Sequence, residues 1–327
     1  MAKSGKQTEK GKAFEYACAQ AIYDKYAGRM NVILEESPQM HTAQRFYAYL
    51  EEFEKANYIK GAKAAIKIID RLEPSLSTGT SDMTLLLQTD SKGIAGDVRD
   101  VLCTRNNGWE IGLSCKHNHE AVKHSRLSDT IDFGKDWFGK ACSDEYFEAV
   151  RNVFLPLRKI REESLKIDKT KPALWSELDN KEDQCYVPVL KAFMDELKRL
   201  DSEYPGEIPE RLIRYLIGTN DFYKVIMNDK RRYTQIESIN INGTLNQASG
   251  KKKALIDVPI MKLPKKFYEV GFKDGSKNTI VVVCDQGWNV SMRIHNASSK
   301  IEPSLKFDVQ LIAMPSSILT QIEPWDE

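Results

Sequence analysis

The residues whose types and spacing could do chemistry lie between Gly96 and Glu120, in the stretch GDVRDVLCTRNNGWEIGLSCKHNHE. Val98 to Thr104 and Trp109 to Lys116 carry strand-forming residues, and Asn106, Asn107 and Gly108 supply a tight turn, so the pattern predicts a β-hairpin. Side chains alternate with period two, which turns Val101 and Cys103 toward a core together with Ile111, Leu113 and Cys115 across the turn. The other face then carries Asp100 and Thr104 on the first strand and Glu110, Ser114 and Lys116 on the second. With the turn centred on Asn107, Asp100 falls opposite Ser114, and a carboxylate and a lysine share one face. Metal-dependent phosphodiester cleavage uses such a pair: the carboxylate holds a divalent ion, and the ammonium steadies the attacking water or the charge developing on phosphorus. A solvated hairpin face is the plain alternative.

An Asp opening one strand and an acidic-x-Lys tripeptide on the next resembles the signature of the PD-(D/E)xK nuclease superfamily. Asp100 followed by Ser114-Cys115-Lys116 is a variant with two departures. Arg99 stands where the superfamily usually has proline, and Ser114 stands at the acidic position. Some restriction endonucleases that resemble this pattern take the missing carboxylate from the following helix, where Glu120 is nearest and Asp129 and Asp132 lie farther along. Asp97 competes with Asp100, but its parity places it on the apolar face. Asp100 and Glu120 are therefore expected to bind the metal, with Ser114 in the vacated position and Lys116 on the water.

The frame for that site is a chain of 327 residues, 41% hydrophobic and 29% charged, long enough for one large or two modest globular domains. No apolar run approaches the ~20 residues of a membrane span, and MAKSGKQTEKGK lacks the apolar segment of a secretory signal, so a cytoplasmic protein is expected. Cys18, Cys103, Cys115, Cys142, Cys185 and Cys284 form no CxxC pair and read as reduced core thiols rather than a zinc site. The net charge of +1 argues against a histone-like binder and leaves room for a local positive channel.

The elements that must position the hairpin come first from helices. Lys12 to Tyr26 places Ala13, Phe14, Ala17, Cys18, Ala21 and Ile22 on one stripe, with Glu15 beside it. His41 to Tyr58 predicts a second core helix with Phe46, Tyr49, Leu50 and Phe53, and Ala62 to Leu72 a third. Met83 to Leu87 fits a strand or a short helix. After the hairpin, KHNHEAVKHSRLS offers His117, Asn118, His119, Lys123, His124 and Arg126 to a phosphate backbone, or forms a polar helix cap. Helical patterns follow from Tyr146 to Leu157, where Pro156 can bend the helix, from Val187 to Leu200 and from Pro209 to Ile217. Lys230-Arg231-Arg232 reads as a solvated turn or a phosphate contact.

From Lys251 onward short β-type runs appear: Phe267 to Phe272, Thr279 to Cys284, Trp288 to Ile294 and Phe307 to Ile312. Here Arg293 and His295 alternate with Met292 and Ile294, and Asn296, Ser298, Ser299 and Lys300 follow in a loop. Arg and Lys suit guanine edges in the major groove and Asn suits adenine, so this segment is expected to contact DNA; an edge strand with a polar turn is the plain alternative. The expected division is a nuclease core over 1–140, a helical scaffold over 141–235 and a β-rich recognition region over 236–327, unless all three form one continuous domain.

The combination of GK-x-FE, GDVRDV, SCKHNHEAVKHSRLS, DFYKV and WNVSMRIHNASSKIEPSLKFDV resembles the HaeIII-type type II restriction endonucleases along most of the chain. The resemblance implies an α/β fold, a PD-(D/E)xK core whose mixed central sheet is flanked by helices, with a β-rich C-terminal DNA-reading region. It implies a Mg²⁺-dependent enzyme that cuts double-stranded DNA at GGCC, between the central G and C, with a partner methyltransferase. In the superfamily the Glu of GK-x-FE hydrogen-bonds water on the metal, which gives Glu15 a supporting role. A palindromic target suits a homodimer, and a monomer that cuts the strands in turn is the alternative. A structure-selective repair or recombination nuclease and a DNA-binding module with an inactive core are the alternatives.

Overall fold

The structure is a computed structural model that describes residues 3–78, 81–89, 96–117 and 125–326. In chain order its strands are β1 (Val32–Leu34), β2 (Met83–Leu87), β3 (Val101–Arg105), β4 (Glu110–His117), β5 (Arg126–Leu127), β6 (Phe222–Asn228), β7 (Tyr233–Ile239), β8 (Phe267–Phe272), β9 (Thr279–Cys284), β10 (Asn289–His295), β11 (Leu305–Ala313) and β12 (Thr320–Pro324). Its α-helices are α1 (Lys3–Tyr26), α2 (Pro38–Ala48), α3 (Glu52–Leu72), α4 (Pro74–Thr78), α5 (Asp144–Ile167), α6 (Val187–Glu203) and α7 (Ile208–Ile217). They form two compact units of discontinuous sequence, one of residues 1–120, 218–262 and 316–327, the other of 121–217 and 263–315.

The first unit is built on a seven-stranded mixed sheet in the order β1-β2-β3-β4-β6-β7-β12. The β1/β2 and β4/β6 pairs are parallel and the others antiparallel. Helices α1 and α3 pack on one face because each presents a continuous apolar stripe. Ala13, Phe14, Cys18 and Ile22 of α1 and Ala62, Ala65, Ile66 and Ile69 of α3 join Ile111, Leu113 and Cys115 of β4 and Tyr223, Val225 and Met227 of β6 in one core. Met83 to Leu87 is a strand of alternating burial, which resolves its ambiguity in the sequence.

The helix expected over His41 to Tyr58 is two helices. Ser37 caps α2 by accepting the Met40 N–H at 3.1 Å, with Pro38 in the first turn, and α2 ends at Tyr49. Glu51 and Glu54 then form a capping box that opens α3, which absorbs the expected third helix. The break resets the helical phase. Tyr49 and Phe53, expected in the core, are consequently 77% and 69% exposed.

At the end of α3 the carboxylate of Glu73 is fully buried, accepting the Tyr223 hydroxyl at 2.6 Å and the Asn246 N–H at 2.7 Å. Burial pushes its carboxyl up to about 7, against the pull of those two donors. The Asn246 amide donates to the carbonyls of Leu72 and Ile256, so one polar cluster ties the 242–258 loop to α3 and β6.

The second unit has a five-stranded antiparallel sheet in the order β5-β11-β10-β9-β8, with α5, α6 and α7. Ile280, Val282, Met292, Ile294, Phe307 and Val309 alternate onto its buried face. Phe307 meets Phe193 at 5.2 Å between ring centroids, and Phe193 meets Phe133 at 4.7 Å. The boundaries expected at 140 and 235 differ from this division. Strands β6 and β7, read as scaffold and the start of the C-terminal region, complete the first sheet, and β12 forms its edge. Pairing between strands a hundred residues apart leaves no local signature, so a reading by segment composition divided them.

Candidate active site

The hairpin register is the one its turn chemistry predicts: Val101 lies opposite Leu113, Cys103 opposite Ile111 and Thr104 opposite Glu110. Asp100 is the last residue before β3 and β4 part. Its N–H donates to Leu113 O at 2.7 Å, and its Oδ2 accepts the Cys115 N–H at 2.7 Å, standing in for the next carbonyl of the ladder. The same oxygen accepts the Ser114 hydroxyl and the Lys116 ammonium, each at 3.3 Å. Ser114 is 2% exposed, so its hydroxyl orients Asp100.

Glu15 reaches this fork from α1. It is 5% exposed and ion-paired with Lys12, one turn earlier, at 3.2 Å. Burial first and the charge of Asp100 second push its carboxyl up to about 8, against Lys12 and Lys116. Lys116 shows the complement: desolvation pulls its pKa down, but Asp100 and Glu15 more than compensate and hold it above the ordinary lysine value. Lys116 is therefore a cation in this site, suited to stabilising negative charge rather than to accepting a proton.

Asp97 is committed elsewhere. Arg99 donates to it from Nε at 2.7 Å and from Nη2 at 2.8 Å, and Gln88 donates at 3.0 Å. Burial raises the Asp97 carboxyl, but these donors and the guanidinium charge outweigh it and hold it at about 2. Arg99 also pairs with Glu110, and its side chain lies flat across Gly112, where a Cβ would come within 2.1 Å of Arg99 Cδ. Gly112 is thus the place on β4 where a side chain crosses the strand, and its position in the run IGLS was the sequence signal.

The register also brings a residue given no role in the sequence. Ser114 lies beside Lys224 of β6, and Lys224 beside Glu237 of β7, with 3.2 Å between ammonium and carboxylate. The run DFYKV contained Lys224, but only the parallel β4/β6 pairing puts it next to β4.

Of the residues expected on phosphate, His117 is turned inward. Its side chain is 10% exposed, its Nε2 is 2.5 Å from Asp229 Oδ2, and its ring lies 5.2 Å from that of Tyr58. Parity explains this: His117 follows Ile111, Leu113 and Cys115 onto the helix-covered face. Asn118, His119, Glu120, Lys123 and His124 lie outside the described residues. Arg126 pairs with Glu302 at 2.8 Å and Ser304 at 2.9 Å. Asp129 is bound by Arg158 at 2.6 Å, and Asp132 accepts the N–H groups of Lys135 and Cys142, so both carboxylates have local structural duties.

In the second unit Arg293 is 55% exposed and pairs with Asp308 at 3.0 Å. Together with Lys273, Thr279, Ser291 and Gln310 they line a polar hollow of about 260 Å³. The loop after β10 is held by its own bonds: His295 Nδ1 lies 2.8 Å from Asn296 O, Asn296 donates to Ser298 O at 2.6 Å, and the Ser298 hydroxyl accepts the Lys300 N–H at 3.2 Å. Ser299 O accepts the Trp175 N–H. The Ser299 and Lys300 side chains are exposed.

No group of three or more His, Cys, Asp or Glu among the described residues could hold a metal ion by itself. The donor chemistry at the fork nevertheless fits a hard divalent cation. Asp100 Oδ1 has no donor among the described residues, and such an ion is typically held by one or two carboxylates plus substrate phosphate.

A carboxylate and a charged lysine meet at the fork of a mixed sheet flanked by helices, backed by a buried glutamate from the packing helix, an arrangement consistent with a nuclease core. The HaeIII restriction endonuclease family matches residues 11–315. A curated relative, the type II restriction enzyme HaeIII of Haemophilus aegyptius, is 42% identical over 325 residues, covering 99% of this chain and 100% of the relative. The chain belongs to the HaeIII restriction endonuclease family, and so to the site-specific deoxyribonucleases that act on double-stranded DNA, generally with a divalent metal. No solved structure matches it. Among the described residues no helix is long and apolar enough to cross a membrane.

Proposed function

We propose that this protein cuts both strands of a short palindrome in duplex DNA, GGCC by resemblance, with Mg²⁺ and blunt ends. The observation that carries the reading is the contact of Lys116 with Asp100 at the point where β3 and β4 part. Asp100 and Glu120 would hold the metal, which supplies charge neutralisation at the phosphate when bound. Lys116, kept cationic by its carboxylate neighbours, positions the attacking water and offsets charge on the phosphoryl oxygens as a P–O bond to water forms and the P–O bond to the departing sugar oxygen breaks, the attacking water giving up its proton to solvent and the sugar oxygen taking one from solvent. Ser114 holds Asp100 in place, and Glu15 supports the water side. Arg293, with His295 and the 296–300 loop, reads bases, while Arg126 and the basic residues of 118–124 contact the backbone. A cytoplasmic enzyme, a cognate methyltransferase that protects host sites and a homodimer that matches the palindrome complete the reading.

The test is plasmid digestion by wild type and Lys116→Ala, followed by sequencing of the ends. Discrete bands with flush ends within GGCC are expected from wild type, and loss of cleavage with specific binding kept within about tenfold from the variant. Cleavage of branched rather than linear duplex would favour a repair or recombination nuclease. Specific binding with no cleavage by wild type in Mg²⁺ or Mn²⁺ would favour an inactive core.

A further inference from the structure

The β6–β7 turn carries three successive cations, Lys230, Arg231 and Arg232, that no step of the proposed cleavage uses. We propose that this turn is a second docking point for the phosphate backbone of the duplex, beyond the phosphate being cleaved. The proposal rests on the nuclease reading and adds a binding site to it. Strands β4 and β6 run parallel with Lys116 beside Ile226 and His117 beside Met227, so the catalytic strand and the turn lie at the same end of the sheet. The turn opens after Asn228, two residues past the level of Lys116, about 7 Å at ~3.3 Å per residue, so its cations lie within reach of a phosphate neighbouring the one at Lys116.

The charge pattern supports a polyanion. Several cations of this unit are matched, among them Lys10 with Glu54, Lys25 with Asp70, Lys67 and Arg71 with Glu323, Arg99 with Asp97, and Lys224 with Glu237, while the exposed Arg29, Arg45, Lys63, Lys251 and Lys253 stand singly or in other segments. Lys230, Arg231 and Arg232 are exposed, and among the described residues none has an ion pair or a side-chain hydrogen bond. The acid in the same turn does not neutralise them, because Asp229 points inward to His117. The turn is also held in shape. Arg231 N–H donates to Asn228 Oδ1 at 3.0 Å, and Arg232 O accepts the N–H of the buried Trp325 at 3.0 Å. Arg232 sits at φ 53°, where Gly or Asn would cost less, so a cation stands there against the backbone preference. The His117 to Asp229 contact ties this charged turn to the residue that follows Lys116.

The test is binding of a short GGCC duplex and a scrambled duplex in Ca²⁺, by fluorescence anisotropy over a salt series, with wild type, Lys230→Gln/Arg231→Gln and the charge-conserving Lys230→Arg/Arg231→Lys. Each lost phosphate contact lowers the slope of log K against log salt by about 0.9, so the neutral variant should lose about 1.8 and bind both duplexes about tenfold more weakly, with the specificity ratio unchanged. The charge-conserving variant should keep the wild-type slope. Should the neutral double variant melt early, Lys230→Gln and Arg231→Gln alone, each expected to lose about 0.9, carry the same decision. A wild-type slope in the neutral variants, or a loss confined to one duplex, overturns the docking point. Absence of duplex binding by wild type instead overturns the nuclease reading.

Discussion

Gly112→Ala tests the clamp that Arg99 forms across β4 beside the candidate active site. A Cβ at this position would lie 2.1 Å from Arg99 Cδ, 2.6 Å from Cγ and 3.0 Å from Cβ, so the guanidinium arm must lift off β4. Lifting it breaks the two bonds to Asp97 and the pair with Glu110. The Arg99 and Asp97 side chains are 11% and 16% exposed, so the pair is largely desolvated. Breaking a buried pair by removing one partner costs about 3 to 5 kcal/mol; here both charges survive and can turn toward water, which lowers the expected cost to about 2 to 4 kcal/mol. Replacing glycine inside a strand returns only about 0.5 kcal/mol. Urea unfolding followed by tryptophan fluorescence measures the difference. The mechanism makes two further demands. In an Arg99→Ala background nothing remains to collide with, so Gly112→Ala should cost little, and the two changes should be strongly non-additive. Asp97 is held at about 2 against an ordinary 3.8, so its stabilisation is fully present above pH 3.8 and is lost as the pH falls through about 2. That acid dependence should shrink in Gly112→Ala. Additive costs in the double variant would refute the clamp. Because Arg99 precedes Asp100, whose N–H is bonded to Leu113, cleavage should fall along with stability.

Glu73→Gln should remove a pH dependence of stability near neutrality. A buried carboxyl raised from 4.5 to about 7 stabilises fully below pH 4.5, and the contribution is lost as the pH rises through about 7. The variant should therefore gain on wild type above pH 7 by up to about 3 kcal/mol, at 1.36 kcal/mol per unit; urea midpoints at acid and alkaline pH that move in parallel for the two proteins would exclude Glu73 as the source. Arg293→Ala should reduce discrimination between GGCC and a site with one changed guanine by about 1 to 3 kcal/mol if Arg293 is bidentate to that base. An equal affinity ratio in variant and wild type would leave Arg293 as a surface partner of Asp308.

Local chemistry makes the centre of this protein legible in its sequence. Asn107 and Gly108 set the turn, period-two alternation sets the faces, and together they put Asp100 opposite Ser114 because hairpin register depends on neighbouring residues alone. The apolar stripe of α1 and the strands from Phe267 onward are readable for the same reason, since helical and strand periods are written over consecutive residues. Even so, the stripe in His41 to Tyr58 misleads, because a capping box at Glu51 and Glu54 divides one apparent period into two phases. Tertiary structure alone decided the rest. The parallel pairing of β4 with β6 joins residues more than a hundred positions apart, and from it follow the neighbours of Ser114, the burial of His117 against Asp229 and the placing of Lys230 to Arg232 at the end of the sheet that Lys116 reaches. The charge of Lys116 and the raised carboxyl of Glu15 depend on burial and on each other, which no linear spacing encodes. A sequence determines which side chains alternate and where the chain turns; which distant strand arrives beside them is set by the burial of whole faces, and that is a property of the folded core.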